Sequence, residues 1–308
     1  MKIAIVTGGT GFVGNALVKK LTDENVKVYA IVRDKSLSNV QPDRREVLQN
    51  ERVTMVEGDI SNLRESKSKI SEKADVFYHL AWAGTRGEAL IDYDVQISNI
   101  KYVMDAICVA AELGCHKFIG AGSISEYELF AEKQCDSEGD KHSVYKAAKH
   151  ASYLMGKELA KTKKIHFIWP IITNIYGAGE NSPRLINTLI RNLMENGEMD
   201  LSEGNQIYDF IYVSDAANAF YLIGEKGNSG RDYVIGSGDA KPLKEFLQQI
   251  PDVIDRDCRL NFGKMKFNGY YLDKELYNTD KLVKATGFVP QLSFIDGIKK
   301  VIDYDRKH

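Results

Sequence analysis

The chain has 308 residues, with 41 Lys and Arg against 43 Asp and Glu for a formal charge of −2. So even a balance leaves no global field to collect nucleic acid or an anionic membrane, and 44% hydrophobic with 27% charged residues excludes wholesale disorder. Folding should remove about three quarters of the unfolded surface from water, enough for one large α/β unit or two lobes.

Apolar runs predict strands at 2–6, 27–32, 53–56, 76–80, 117–121 and 165–171. Between them, helical patterns fall near 12–22, 62–71, 90–113 and 142–162. Continuous apolar strands alternating with helices predict a doubly wound parallel sheet covered on both faces. Helix 142–162 carries Ala148, Ser152 and Gly156 along one side, a small-residue face suited to close helix packing between subunits. After about residue 172, glycines at 177, 179, 197, 204, 227 and 230 break the rhythm. The expected organisation is a dinucleotide-binding domain over 1–174 plus about 205–235. A smaller mixed α/β substrate lobe takes about 175–204 and 236–308. Cys108, Cys115, Cys135 and Cys258 show neither Cys-x-x-Cys spacing nor a cluster with histidine, so no metal site or disulfide scaffold is expected. The first apolar run is too short for a signal-peptide core and no stretch approaches a membrane span, so a cytoplasmic location is expected.

The segment Thr7–Gly14, Thr-Gly-Gly-Thr-Gly-Phe-Val-Gly, follows the first strand and opens a helix. Glycine is needed there for a tight turn, for approach of backbone to a pyrophosphate and for close helix–strand contact, and the helix N-terminus offers N–H groups and positive dipole. The second strand then ends in Val32-Arg33-Asp34. Val32 stands where an NAD-type acid would hold the ribose 2′-hydroxyl, leaving Arg33 to stack on adenine and pair with a 2′-phosphate. NADP(H) is therefore favoured, with NAD(H) possible through Asp34. Asp59, just past the third strand, falls at the adenine edge.

Tyr145 and Lys149 sit i,i+4 on one helix face. A neighbouring ammonium should lower the phenol's pKa so that it can exchange a proton with a carbinol or ketone. Ser123 follows a parallel strand at the sheet's carboxyl edge, placed to donate to the substrate oxygen. Asn99 is a polar residue among apolar helical neighbours.

Together these residues resemble an extended short-chain dehydrogenase/reductase of the nucleotide-sugar epimerase/dehydratase family. The matching pieces run over nearly the whole chain: TGGTGFVG (7–14), GDI (58–60), HLAW (79–82), Asn99, GSISEY (122–127), YKAAK (145–149), NIYGAG (174–179), DFIYVSDAA (209–217) and YVIGSG (233–238). The resemblance implies a Rossmann-type fold, catalytic Ser123, Tyr145 and Lys149, and a homodimer formed through helices 90–113 and 142–162. It places the cofactor against Gly8, Thr10, Gly11, Phe12, Val13, Gly14, Arg33, Asp34, Asp59, Ile60, Leu80, Ala81, Trp82 and Asn99 as well as Tyr145 and Lys149. A nucleotide-diphosphate sugar is implied against Trp82, Ser123, Ser125, Asn174, Arg184, Tyr208 and Arg231.

Departures from the family pattern narrow the chemistry. Ile124 and Ser125 stand where dehydratases and decarboxylases carry acids, so elimination of water has no evident proton donor. Tyr208 and Ile171 replace arginines that commonly grip the diphosphate, leaving Arg184 or Arg231 for that task. Trp82 replaces a small residue. Paired hydroxyls at 123 and 125 favour a sugar 4-epimerase, placed slightly ahead of an NADPH-dependent 4-keto reductase, which Arg33 favours. A non-catalytic NADP(H)-binding regulator ranks low because Ser123, Tyr145 and Lys149 are all present.

Overall fold

A computed structural model of the chain describes residues 1–131, 143–230, 233–254 and 257–307. Six parallel strands form its central sheet in the order β3-β2-β1-β4-β5-β7. These are β1 (Ile3–Thr7), β2 (Lys27–Val32), β3 (Val53–Glu57), β4 (Val76–His79), β5 (Lys117–Ile119) and β7 (His166–Ile168). Two short strands, β6 (Gly122–Ser123) and β8 (Ile171–Ile172), continue β5 and β7 after a break and pair with each other in parallel. Val234–Ile235 joins the outer side of β8. The order reverses about β1, the Rossmann arrangement, and opens a crevice at the carboxyl ends of β1 and β4.

Successive residues of each strand feed opposite cores, because side chains alternate across the sheet. Ala4 and Val6 of β1 pack with Leu17, Val18 and Leu21 of helix Phe12–Asp23 and with Phe220 and Ile223 of helix Val213–Lys226. Ile5 points the other way, among Val103, Ala106 and Ala110 of helix Tyr93–Glu112. On that second face, Phe77, Phe118 and Phe167 of the neighbouring strands β4, β5 and β7, with Trp169 just after β7, form a row of stacked rings 5.8 to 5.9 Å apart.

The run 165–171 is expected as one strand but is two, with Trp169 and Pro170 between them. Proline brings no N–H to the ladder. The indole of Trp169 fills the space that a side chain at 120 or 122 would need: a Cβ at Gly120 would lie 2.1 Å from it and one at Gly122 2.8 Å. The break turns Ser123 toward the crevice mouth.

The small face of helix Ser143–Lys163 is spent inside the chain. Ala148, Ser152 and Gly156 are buried, and a Cβ at Gly156 would lie 2.9 Å from the Phe167 ring and 3.2 Å from Ile107. The expectation that this face meets another subunit is therefore corrected. The apolar residues that these two helices leave exposed are Tyr93, Ile97, Leu154 and Met155.

Beyond the sheet, Asn174–Tyr176 pairs with Phe210–Tyr212. Rings of Tyr176, Phe210, Phe246 and Phe294 cluster there and dock the last helix, Phe294–Asp305. Buried Asp209 accepts hydrogen bonds from Ser237 N (2.8 Å), Ser237 Oγ (2.7 Å) and Gly238 N (3.0 Å). That carboxylate joins the two late motifs noted in the sequence. No helix among the described residues is long and apolar enough to cross a membrane, and among them Cys108 and Cys115 are free thiols.

Candidate active site

The glycine turn after β1 is set by contact rather than by sequence pattern alone. Gly8 has a φ of +78°, and a Cβ on it would lie 2.8 Å from Ala81 N. A Cβ on Gly14 would sit 2.1 Å from Gly8 O, and one on Gly11 3.2 Å from the same oxygen. Gly9 differs: its Cβ would make ordinary contacts of 3.4 to 3.7 Å with Val18, Ala30 and Leu48. The glycines at 8, 11 and 14 therefore form the cradle. Gly11 is the N-cap of helix Phe12–Asp23 and supplies no side-chain cap, so the first-turn N–H groups face the crevice. Narrow backbone walls, open N–H groups and a positive helix end fit a diphosphate.

The cradle lies in a cleft of about 660 Å³ whose walls include Gly8, Thr10, Gly11, Phe12, Val13, Gly14, Arg33, Asp59, Ile60, Leu80, Ala81 and Trp82. β2 ends at Val32, and Arg33 lines the cleft directly after it. Asp34 is outside that wall. Its carboxylate accepts from Ser36 N (2.8 Å), Ser36 Oγ (2.5 Å) and Ser38 Oγ (3.3 Å), and the Ser36 bonds hold its pKa below the usual carboxylate value. Asp59 caps the 3-10 turn Ile60–Asn62 through Ser61 N at 2.9 Å while lining the cleft.

Asn99 stands behind the wall. Its carboxamide receives Ala83 N (2.9 Å) and donates to Ala83 O (2.9 Å) and Val95 O (3.1 Å). With 1% of its surface exposed it anchors the loop after β4 and presents no free atom to the cleft. His79, buried at the end of β4, bonds Thr7 Oγ1 at 3.0 Å. Burial, reinforced by the Lys149 charge, pushes its imidazole down to about 3. A folded value below the ordinary 6.5 means that the unfolded chain binds the proton first, so stability should fall as pH drops from about 6.5 toward 3. His79→Phe, which keeps a ring beside Phe77 and Phe118 but removes the titratable nitrogens, should flatten that decline in urea titrations across this pH range. An unchanged slope would place the acid sensitivity elsewhere.

Ser123, Tyr145 and Lys149 come together beside Trp82, which lines the cleft, although none of the three is on its wall. Ser123 caps the 3-10 turn Ile124–Leu129, and its hydroxyl shares a 2.8 Å hydrogen bond with Ser125. The Tyr145 hydroxyl is hydrogen-bonded to Ser123. Lys149 Nζ lies 5.8 Å from the centre of the Tyr145 ring and donates to Ala121 O at 2.8 Å. The expectation that the ammonium acidifies the phenol is corrected. Burial dominates both groups: the phenol is pushed up to about 12 and the ammonium down to about 7. Burial penalises the charged form of each, so Tyr145 is held as the protonated phenol while Lys149 gives up its proton far more readily than an exposed lysine.

Glu126 was not anticipated from the sequence. It is fully buried and accepts from Ser123 N (2.9 Å) and Trp169 Nε1 (3.1 Å), fixing the backbone under Ser123. Its place three residues after a serine, a capping-box spacing, was the available signal. Arg86 and the buried Glu180, paired at 3.4 Å across the cleft, lie far apart in sequence and left none.

A second, smaller cleft of about 320 Å³ adjoins the first and is lined by Ser123, Ser125, Glu128, Asn174, Arg184, Asn187 and Tyr208 among others. Arg184 lines both clefts. Thr173 and Asn187 belong to the same wall, and their Oγ1 and Oδ1 atoms are buried without a hydrogen-bond partner among the described residues. Asn174 donates to Asp209 O at 3.2 Å, and the Tyr208 ring stacks on Phe210 at 5.6 Å. Arg231 lies outside the described residues.

A dinucleotide-type crevice leading to a Ser–Tyr–Lys cluster defines the class of an NAD(P)-linked enzyme. Residues 4–236 match the NAD dependent epimerase/dehydratase family, and the chain belongs to it, as an enzyme of the extended short-chain dehydrogenase/reductase class. It is 23% identical over 322 residues to the dTDP-D-glucose 4,6-dehydratase of Mus musculus, covering 100% of this chain and 89% of the relative. It is 25% identical over 305 residues to the CDP-abequose synthase of Salmonella typhimurium, covering 97% and 96%. Among solved structures, a UDP-N-acetylglucosamine 4-epimerase from Methanobrevibacter ruminantium with UDP-N-acetylmuramic acid superposes with a TM-score of 0.81 at 22% identity, covering 99% of this chain and 98% of that one. A dTDP-glucose 4,6-dehydratase from Streptomyces venezuelae with NAD and TYD bound gives 0.78 at 20% identity, covering 99% and 97%.

Proposed function

We propose that this chain is an NADP(H)-linked oxidoreductase that reduces a keto group, at carbon 4 of the sugar, in a nucleotide-diphosphate sugar. The observation that carries the choice of cofactor and direction is the fate of the two residues after β2. Arg33 borders the cleft, whereas Asp34 is tied to Ser36 and Ser38 and unavailable to a ribose 2′-hydroxyl. A guanidinium there matches a 2′-phosphate. When bound, the nicotinamide would supply the hydride. The protein's part is to hold the ketone oxygen between the Ser123 and Tyr145 hydroxyls and to deliver the Tyr145 proton as the oxygen gains charge.

The smaller cleft supports a hydroxyl-rich occupant. Its wall carries the side chains of Ser123, Ser125, Asn174 and Asn187, polar partners for sugar hydroxyls. Arg184, at the junction of the clefts, is placed to meet a diphosphate. We assign the substrate lobe to about 175–204 and 236–308, and a homodimer contact to the exposed Tyr93, Ile97, Leu154 and Met155.

The test is purified protein mixed with a 4-keto nucleotide sugar and NADPH. One equivalent of oxidised cofactor should be released per sugar reduced. A 4-epimerase is the second reading, and the hydrogen-bonded Ser123–Ser125 pair favours it. Interconversion of two sugars with cofactor retained and no net oxidation would replace the first reading by the second. Dehydration is disfavoured by Ile124 and Ser125, which carry no acid to the cleft. Arg33→Ala should weaken NADPH binding by roughly tenfold to a hundredfold, the worth of a charge-assisted contact, and leave NADH within about threefold. Fluorescence titration with both nucleotides checks this, and equal losses for the two would remove Arg33 from the 2′-phosphate.

A further inference from the structure

Trp82 stands where the family pattern has a small residue, and its surroundings are more specific than wall-filling requires. Lys149 Nζ lies 3.7 Å from the centre of its ring, well inside cation–π range. The Tyr145 ring meets the indole edge-on, with centroids 6.0 Å apart at 81°. The indole is itself held: Trp82 Nε1 donates to Gln96 Oε1 at 2.9 Å. Gln96 is fully buried and donates in turn to Gly84 O and Ala89 O, each at 2.8 Å. A buried carboxamide with all its partners satisfied is a rigid mount.

We propose that Trp82 is a positioning residue whose indole face braces the Lys149 ammonium and whose edge backs the Tyr145 ring, with Gln96 fixing the indole's angle. Burial alone drives Lys149 toward its neutral form, because an ammonium loses hydration there. The electron-rich face of an indole returns part of that stabilisation without adding an anion beside the phenol. The other ionisable groups around Lys149 are Glu126, which favours its charge, Tyr145, and the neutral imidazole of His79. None of them reproduces a contact at 3.7 Å on the ring face.

The inference rests on assigning Lys149 to the reaction centre, but its test needs neither cofactor nor sugar. Replacing Trp82 site-specifically by mono-, di- and trifluorotryptophan preserves the indole's size and its N–H while draining the ring's negative face. The titration midpoint of Lys149, followed by carbon NMR of labelled lysine and assigned with Lys149→Met, should fall stepwise by about one unit over the series. A midpoint independent of fluorination overturns the proposal, since desolvation and the neighbouring charges are unchanged.

A thermal double-mutant cycle of Trp82→Leu and Lys149→Met at mildly acid pH gives a second reading. Trp82→Leu should cost more melting temperature in the chain that keeps Lys149 than in the Lys149→Met background. Additive effects would overturn the proposal. Absence of sugar turnover in the unsubstituted protein, with the stepwise lysine shift still present, would instead count against the proposed function.

Discussion

Tyr145→Phe should lower turnover by about a thousandfold while leaving dinucleotide affinity within about threefold. A positioned acid or base contributes about 10² to 10⁴ in rate, and the phenol is the protonated group hydrogen-bonded to Ser123, which lines the smaller cleft. The ring itself is kept, so its edge contact with Trp82 survives. Steady-state assays with nucleotide fluorescence titrations separate the two effects, and a loss of less than tenfold would move the proton to another group. Lys149→Met should also stall turnover, yet raise stability at neutral pH. The ammonium's folded value of about 7 lies below the ordinary 10.5, so the folded chain resists the proton that the unfolded chain accepts. That penalty is fully present below about 7 and disappears as pH rises toward 10.5. The gain in melting temperature should shrink over the same interval.

Gly14→Ala should abolish dinucleotide binding or drop it by more than a hundredfold, with a loss of stability of about 3 kcal/mol or more. The added carbon would fall 2.1 Å from Gly8 O, and its neighbour is backbone, which cannot rotate away. Overpacking against movable side chains already costs about 1 to 3 kcal/mol. Here relief requires moving the first helical turn away from the β1 turn, which dismantles the N–H cradle. Gly9→Ala is the matched control. Its Cβ meets only side chains at 3.4 Å and beyond, so binding and melting temperature should stay near wild type. If the two substitutions behave alike, the cradle is not built as its contacts indicate.

The contrast between those glycines marks what the amino-acid pattern could reveal. A glycine-rich turn between strand and helix was plain, as were the apolar strands of the sheet and the i,i+4 pair of Tyr145 and Lys149. Local periodicity carries such features. Which glycines are sterically required depends on contacts between the turn and the loop after β4, which no local pattern holds. Helix Pro42–Leu48 was missed because only Leu48 in it is buried, leaving almost no apolar stripe. The small face of helix Ser143–Lys163 was visible, but not that Phe167 and Ile107 already fill it. Asp34 and Arg33 are adjacent in the chain, and only the turn made by Ser36 and Ser38 separates their directions. Asn99 was rightly conspicuous as a polar residue on an apolar helix, and its partner proved to be the chain's own backbone at Ala83.

Arg184 begins helix Leu185–Asn196 and borders both clefts. A single guanidinium shared by two compartments makes their occupants thermodynamically linked: whatever affinity one ligand gains or loses by engaging it, the other must register to the same degree.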